Sequence, residues 1–187
     1  MTDLVVGHQT SILGFRRQVS TGLWAVVDAV GAGVLERLGS VADEAKASLF
    51  RGPVEAELAA IAPWLVRVDL ELFDWIVGAL WNQPWGVFAT VDPGVGLEEL
   101  RTQFRRFLLV EGPGGHRYYF RFYDPRVLDR FWGMASAEQV GALFAMVRTF
   151  AYPDRHTLGV RVVRSSGQSL STKIGRVRFT GRMGQIP

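Results

Sequence analysis

The chain has 187 residues, 48% of them apolar and 21% charged, which suits one globular domain with a real core and excludes an intrinsically disordered protein. It contains no cysteine, so disulfides, thiolate metal sites and cysteine nucleophiles are excluded, and a reducing cytosol is the expected setting. The net charge of +3 is uneven: residues 1–150 carry 14 Lys/Arg against 17 Asp/Glu, and residues 151–187 carry 7 against 1.

In chain order, the first 20 or so residues show no sustained period and read as a lead-in, without the basic-then-apolar layout of a signal peptide. "LWAVVDA" (23–29) is a short apolar run of the kind found in buried parallel strands, and "GVLERL" follows as a helix. "ASLF" near Leu49 and "APWLVRV" from Ala62 read as further strands. "LELFDWIVGALW" (70–81) places Leu72, Trp75, Ile76, Ala79 and Leu80 on one side of a helix, and "GVFAT" (86–90) returns to a strand. From Leu97, the residues Leu100, Phe104 and Phe107 stripe a helix, with Arg101, Arg105 and Arg106 off the stripe. "LLVEGPGGHRYYFRFY" reads as an antiparallel hairpin turning on Gly112-Pro113-Gly114-Gly115.

Period-two alternation through this second strand puts Tyr118, Phe120 and Phe122 on one face and Arg117, Tyr119, Arg121 and Tyr123 on the other. Asp124 then caps a helix whose first residue is Pro125, with Arg126 pairing to a nearby carboxylate. That helix buries Val127, Leu128, Phe131 and Trp132 and closes at Gly133, and Ser136 with Gln139 makes a capping box for the next. The alternation of strands and helices predicts an α/β fold with a mostly parallel sheet, helices on its faces, one antiparallel hairpin and short C-terminal helices. The expected organisation is a lead-in (1–22), an α/β domain (23–150) and a basic extension (151–187).

Chemistry-bearing motifs are sparse. Gly31-x-Gly33 after a strand suggests a dinucleotide loop, but Glu36 occupies the third glycine's place and would repel a pyrophosphate. Neither a phosphate-binding Gly-Lys-Ser/Thr run nor a Gly-x-Ser-x-Gly elbow occurs. His8, His116 and His156 are too dispersed to suggest a metal site, and Glu71 with Asp74 reads as surface charge flanking an apolar stripe. Asp28, at a strand's carboxyl end, either caps the next turn or serves a site. The arginines 101, 105, 106, 117, 121 and 126 are interleaved with Glu98, Glu99, Glu111, Asp124 and Asp129, so internal ion pairing is expected over phosphate contact.

"APWLV", "WGVFATVD", "LEELRTQFRRFLLVEGPGGHRYYFRFYDPRVLDRFW" and "AEQVGALF", in that order, resemble the type VI secretion effector chaperone and adaptor family, first catalogued as a domain of unknown function. Gln103 stands where that family often has histidine. The resemblance covers about residues 23–146. It implies a cytoplasmic, non-enzymatic adaptor that forms a hetero-complex with a secretion effector and the spike protein, using no cofactor, nucleic acid or membrane. It also makes Arg105, Asp124, Pro125 and Arg126 a structural hallmark. Arg117, Tyr119, Arg121 and Tyr123 are the candidate partner-binding residues, because Tyr and Arg supply area and directed hydrogen bonds at interface centres. The alternative for this face is a covering helix that makes the tyrosines core. Rival functions are a small enzyme using Asp28 and the Arg-rich helix on an anionic molecule, and a nucleic-acid module using the basic tail.

Overall fold

The computed structural model describes residues 4–9, 12–31, 33–51, 57–154 and 159–165. Nine strands are defined among them: β1 (Leu4–Gln9), β2 (Leu23–Asp28), β3 (Lys46–Ser48), β4 (Pro63–Arg67), β5 (Gly86–Val91), β6 (Leu109–Glu111), β7 (Arg117–Tyr119), β8 (Val147–Pro153) and β9 (Val160–Ser165). The helices are α1 (Leu13–Arg16), α2 (Val34–Gly39), α3 (Leu70–Trp75), α4 (Leu97–Arg105), α5 (Pro125–Met134) and α6 (Ala137–Leu143). Seven strands form one sheet in the order β1-β9-β8-β5-β2-β4-β3, and β6 pairs β7 as a separate hairpin.

Every pairing in the large sheet is antiparallel, which corrects the expectation of a mostly parallel one. The misleading signal was the unbroken apolar run of β2, all six residues of which are buried. Such a run reports burial on both faces and carries no information on strand direction. Both faces are indeed covered. Trp24 and Val26 point into a cluster with α4, α5, α6 and the hairpin, through Leu100, Phe104, Phe122, Leu128 and Leu143. Ala25 and Val27 point into the opposite cluster, with Phe15, Leu38, Leu72, Phe73 and Ile76.

The helix boundaries follow local chemistry closely. Asp69 accepts from the Leu72 amide at 2.7 Å and so starts α3. The Ser136 and Gln139 capping box starts α6, as the spacing predicts. Gly133 does not close α5; it lies within the helix, which ends at Met134. Past Trp75, α3 widens into a π-helical turn over Ile76–Leu80. The wider turn keeps Ile76 and Leu80 buried and leaves Ala79 exposed, so the buried stripe departs from the regular 3.6 pattern expected there.

The lead-in and the basic extension both contribute to the sheet: β9 pairs β8 on one side and β1 on the other. Residues 166–187, most of the basic tail, lie outside the described residues, as does His156. One glycine sets the register at the sheet's centre. Gly86 has φ +151°, and a Cβ there would stand 2.1 Å from the Val26 carbonyl oxygen. Only glycine lets β5 approach β2 so closely.

Candidate functional site

The carboxyl end of β2, the start of β5 and the start of α5 meet at one end of the sheet. The Asp28 amide donates to the Trp85 carbonyl at 2.8 Å, tying the loop before β5 to the end of β2. The chain enters this corner from β7. Regular pairing ends at Tyr119, although the Phe120 amide still donates to Leu108 O at 2.9 Å. The Phe122 amide then donates to Phe120 O at 2.9 Å and the Asp124 amide to Arg121 O at 2.9 Å, so the chain turns twice within five residues.

Those turns break the expected alternation. Phe120 and Phe122 both go into the core, but Tyr123, expected on the opposite face, joins them at 2% exposure, with its ring 5.8 Å from that of Phe122. Tyr118, expected to share a face with Phe120 and Phe122, is 39% exposed, and Tyr119 is 44% exposed. No helix covers Tyr119 completely; Phe50, which follows β3, meets its ring edge-on at 6.1 Å.

Three of the four candidate partner-binding residues come together. The Tyr119 and Tyr123 hydroxyls are 3.3 Å apart, and the Arg121 guanidinium carbon lies 5.6 Å from the Tyr123 ring centroid. Arg121 Nη2 donates to Asp28 Oδ2, while Asp28 Oδ1 accepts from the Val30 amide at 3.2 Å. Asp28 therefore both caps its turn and anchors the arginine. Arg117 stands apart: it is exposed and lies opposite Glu111 in the hairpin register. Burial first, and then the neighbouring hydroxyl, raises the Tyr119 phenol well above its ordinary range. Burial likewise raises Tyr123. Both are neutral hydroxyls at physiological pH, and the charges beside them are paired to each other. The group offers aromatic area and hydrogen bonds.

The hallmark junction is built as its sequence suggests. Asp124 Oδ1 accepts from the Arg126 amide at 2.9 Å, and its carboxylate also receives Arg126 Nε at 2.9 Å and Nη2 at 2.6 Å. The carboxylate that Arg126 pairs with is thus its own helix cap. Pro125 occupies the first helical position, where no N–H is wanted. Arg105 is half-buried in the last turn of α4, where a cation complements the helix dipole.

Burial alone would raise the Asp124 carboxyl, but the bonds from Arg126 outweigh it and the net shift is downward. A depressed carboxyl contributes stability that is fully present above the unfolded aspartate range, about 3.9, and is lost as pH falls through the lower folded value. Asp124→Ala should therefore cost roughly 1–2 kcal/mol near neutrality. Thermal melts of both proteins should show the gap narrowing toward about pH 3. A gap independent of pH would mean that the carboxylate charge is not what stabilises the junction.

The remaining sequence candidates are held by structural partners. Arg101 Nε donates to Ser48 O at 2.8 Å, clamping the end of β3, and Arg16 binds Asp74 through two bonds of 2.8 and 2.7 Å. Glu71 pairs with Arg37 at 2.8 Å. Gln103 is buried and donates to Ala142 O at 2.7 Å, joining α4 to α6. His116 is exposed in the hairpin turn, and the side chain of His8 lies outside the described residues. Among the described residues no three His, Cys, Asp or Glu side chains gather as a metal site would require, and no helix is long and apolar enough to cross a membrane.

Sequence reasoning missed a second polar chain. Trp132 Nε1 donates to Tyr152 Oη at 2.9 Å, and that hydroxyl donates to Asp129 Oδ1 at 2.8 Å, with Arg161 Nε 3.4 Å from the same oxygen. It ties α5 to β8 and β9. Tyr152 lies 20 residues beyond Trp132 and 23 beyond Asp129, so no local spacing announces it.

A family model described as Domain of unknown function (DUF4123) matches residues 23–142. The chain belongs to this family. The DUF4123 match takes in the hairpin, Asp28 and the Asp124–Arg126 junction, and stops short of β8 and β9. Neither a curated protein nor a solved structure gives a significant match.

Proposed function

We propose that this DUF4123 chain is a non-enzymatic, cytoplasmic adaptor that binds one type VI secretion effector and helps place it on the secretion spike, working as a hetero-complex without cofactor, nucleic acid or membrane. The resemblance of its motif order to the effector adaptor family supplies the biological setting. The observation that carries the reading is the outward face of the hairpin. Leu109 and Tyr119 lie directly opposite each other in the register and are 58% and 44% exposed. Arg117 lies two residues before Tyr119 and Arg121 two after, so apolar area is flanked by directed donors, a composition suited to an interface centre.

The ion pairs support the same reading. Arg121, Arg126 and Arg101 are each bonded within the protein, so much of the arginine charge near this face is already matched and is not offered to phosphate or a small anion.

The partner to test is a type VI secretion effector sought among the neighbouring reading frames. Titration calorimetry with that effector should give a complex with the wild type, and Tyr119→Ala should weaken it by roughly 1–3 kcal/mol. An unchanged affinity in a folded Leu109→Ala, Tyr119→Ala double variant would remove this face from the client site. Failure of the wild type to bind either effector or spike protein would remove the adaptor reading itself.

A further inference from the structure

A cleft of about 510 Å³ opens at the same end of the sheet, away from the hairpin face, between the loop after the π-helical turn, the start of α5 and the end of β8. Trp81, Asn82 and Pro84 form one wall, Pro125 and Arg126 the second, and Pro153 the third. Its size is in the range of ligand-binding pockets. Three features describe what it would take.

The apolar half of the lining is rigid. Three prolines with locked φ face a half-buried indole, which is itself backed by Trp85 and Phe88 at centroid distances of 6.4 Å each. The π-helical turn at Ile76–Leu80 leads directly into Trp81, and such turns recur at functional sites.

The charges are already neutralised. Arg126 is bound through Nε and Nη2 to Asp124, and the fully buried Asp154 carboxylate at the cleft's back lies 3.9 Å from Arg161. An ionic ligand would find no unpaired counter-charge.

Donors remain in excess. The Trp81 indole N–H, the exposed Asn82 carboxamide and the exposed Arg126 guanidinium all line the cleft and can donate to a ligand. A neutral ligand rich in carbonyl acceptors and flat apolar groups satisfies all three features. A polyproline II segment is such a ligand: its carbonyls are unused internally, its rings stack on indole, and it loses little entropy on binding.

We propose that this cleft binds an extended, proline-containing peptide segment. The site is separate from the hairpin face, and the proposal does not depend on the adaptor reading. The full chain should bind a fluorescein-labelled peptide of sequence Ala-Pro-Pro-Ala-Pro-Pro-Ala-Pro-Pro saturably in fluorescence anisotropy. A Gly-Ser peptide of equal length should bind at least about tenfold more weakly, because it lacks the rings and the preformed helix. Asn82→Ala, at an exposed residue, should lower affinity about three- to tenfold with an unchanged melt, and Trp81→Ala should lower it by more than about tenfold. Tyr119→Ala should leave peptide binding unchanged. Absence of saturable binding by the folded wild type, equal binding of the Gly-Ser peptide, or full binding by both Trp81→Ala and Asn82→Ala would each overturn the proposal. A loss on Tyr119→Ala would instead assign the peptide to the hairpin face and overturn it as well.

Discussion

Gly86→Ala is expected to be the most damaging single-methyl change in the protein. The added Cβ would meet the Val26 carbonyl oxygen at 2.1 Å, its carbon at 3.0 Å and Val27 Cα at 3.1 Å, all of them backbone atoms of the central strand. No side chain can swing aside, so β5 would have to separate from β2, and φ +151° is a conformation that alanine rarely adopts. A cost of about 4 kcal/mol or more is expected, among the largest that point changes produce. In a protein of this size that corresponds to a fall in Tm of roughly 10 °C, if the variant folds at all. Gly133→Ala is the control. It lies in α5 with open space around its Cβ, and it should gain up to about 1 kcal/mol from helix propensity. Thermal melts of the two variants decide the matter: a Gly86→Ala protein within about 2 °C of the wild type would mean that β5 does not approach β2 as described. The loop that carries Trp81 and Trp85 ends at Gly86, so the same change should also disturb the Asp28 corner.

The second large effect separates two tyrosines four residues apart. Tyr123→Ala should cost about 3–5 kcal/mol of stability, because a ring at 2% exposure packs on Phe122 and leaves a cavity when removed. Tyr123→Phe keeps the ring and loses the hydroxyl's contacts with Tyr119 and Arg121, worth about 1 kcal/mol each. Tyr119→Ala should cost less stability than Tyr123→Ala, since its ring is 44% exposed and packs edge-on against Phe50. On the adaptor reading proposed above, its main effect should fall on partner affinity. Denaturant melts run beside calorimetry read both quantities. Equal stability losses for Tyr119→Ala and Tyr123→Ala would place both rings in the core and withdraw the hairpin face as an interface.

What the amino-acid order determined by itself was local. Asp124-Pro125 and the Ser136/Gln139 pair announce helix starts because a cap acts within three residues of the groups it satisfies. The stripe of Leu100 and Phe104 and the glycine-rich hairpin turn were legible for the same reason. Strand direction was not legible, because a strand buried on both faces looks alike whichever way its neighbours run. The edge strand β1 escaped notice because its partner, β9, is more than 150 residues away. Within the site, the alternation of "RYYFRFY" does not hold even in β7, where Arg117, Tyr118 and Tyr119 are all exposed. Beyond it two tight turns, dictated by where α5 must dock, carried Tyr123 inward and left Arg121 to reach Asp28 across 93 residues of chain. Pairing over that separation, like the grouping of Pro125 and Pro153 beside Trp81, is a product of tertiary packing, which brings together groups that no local period relates.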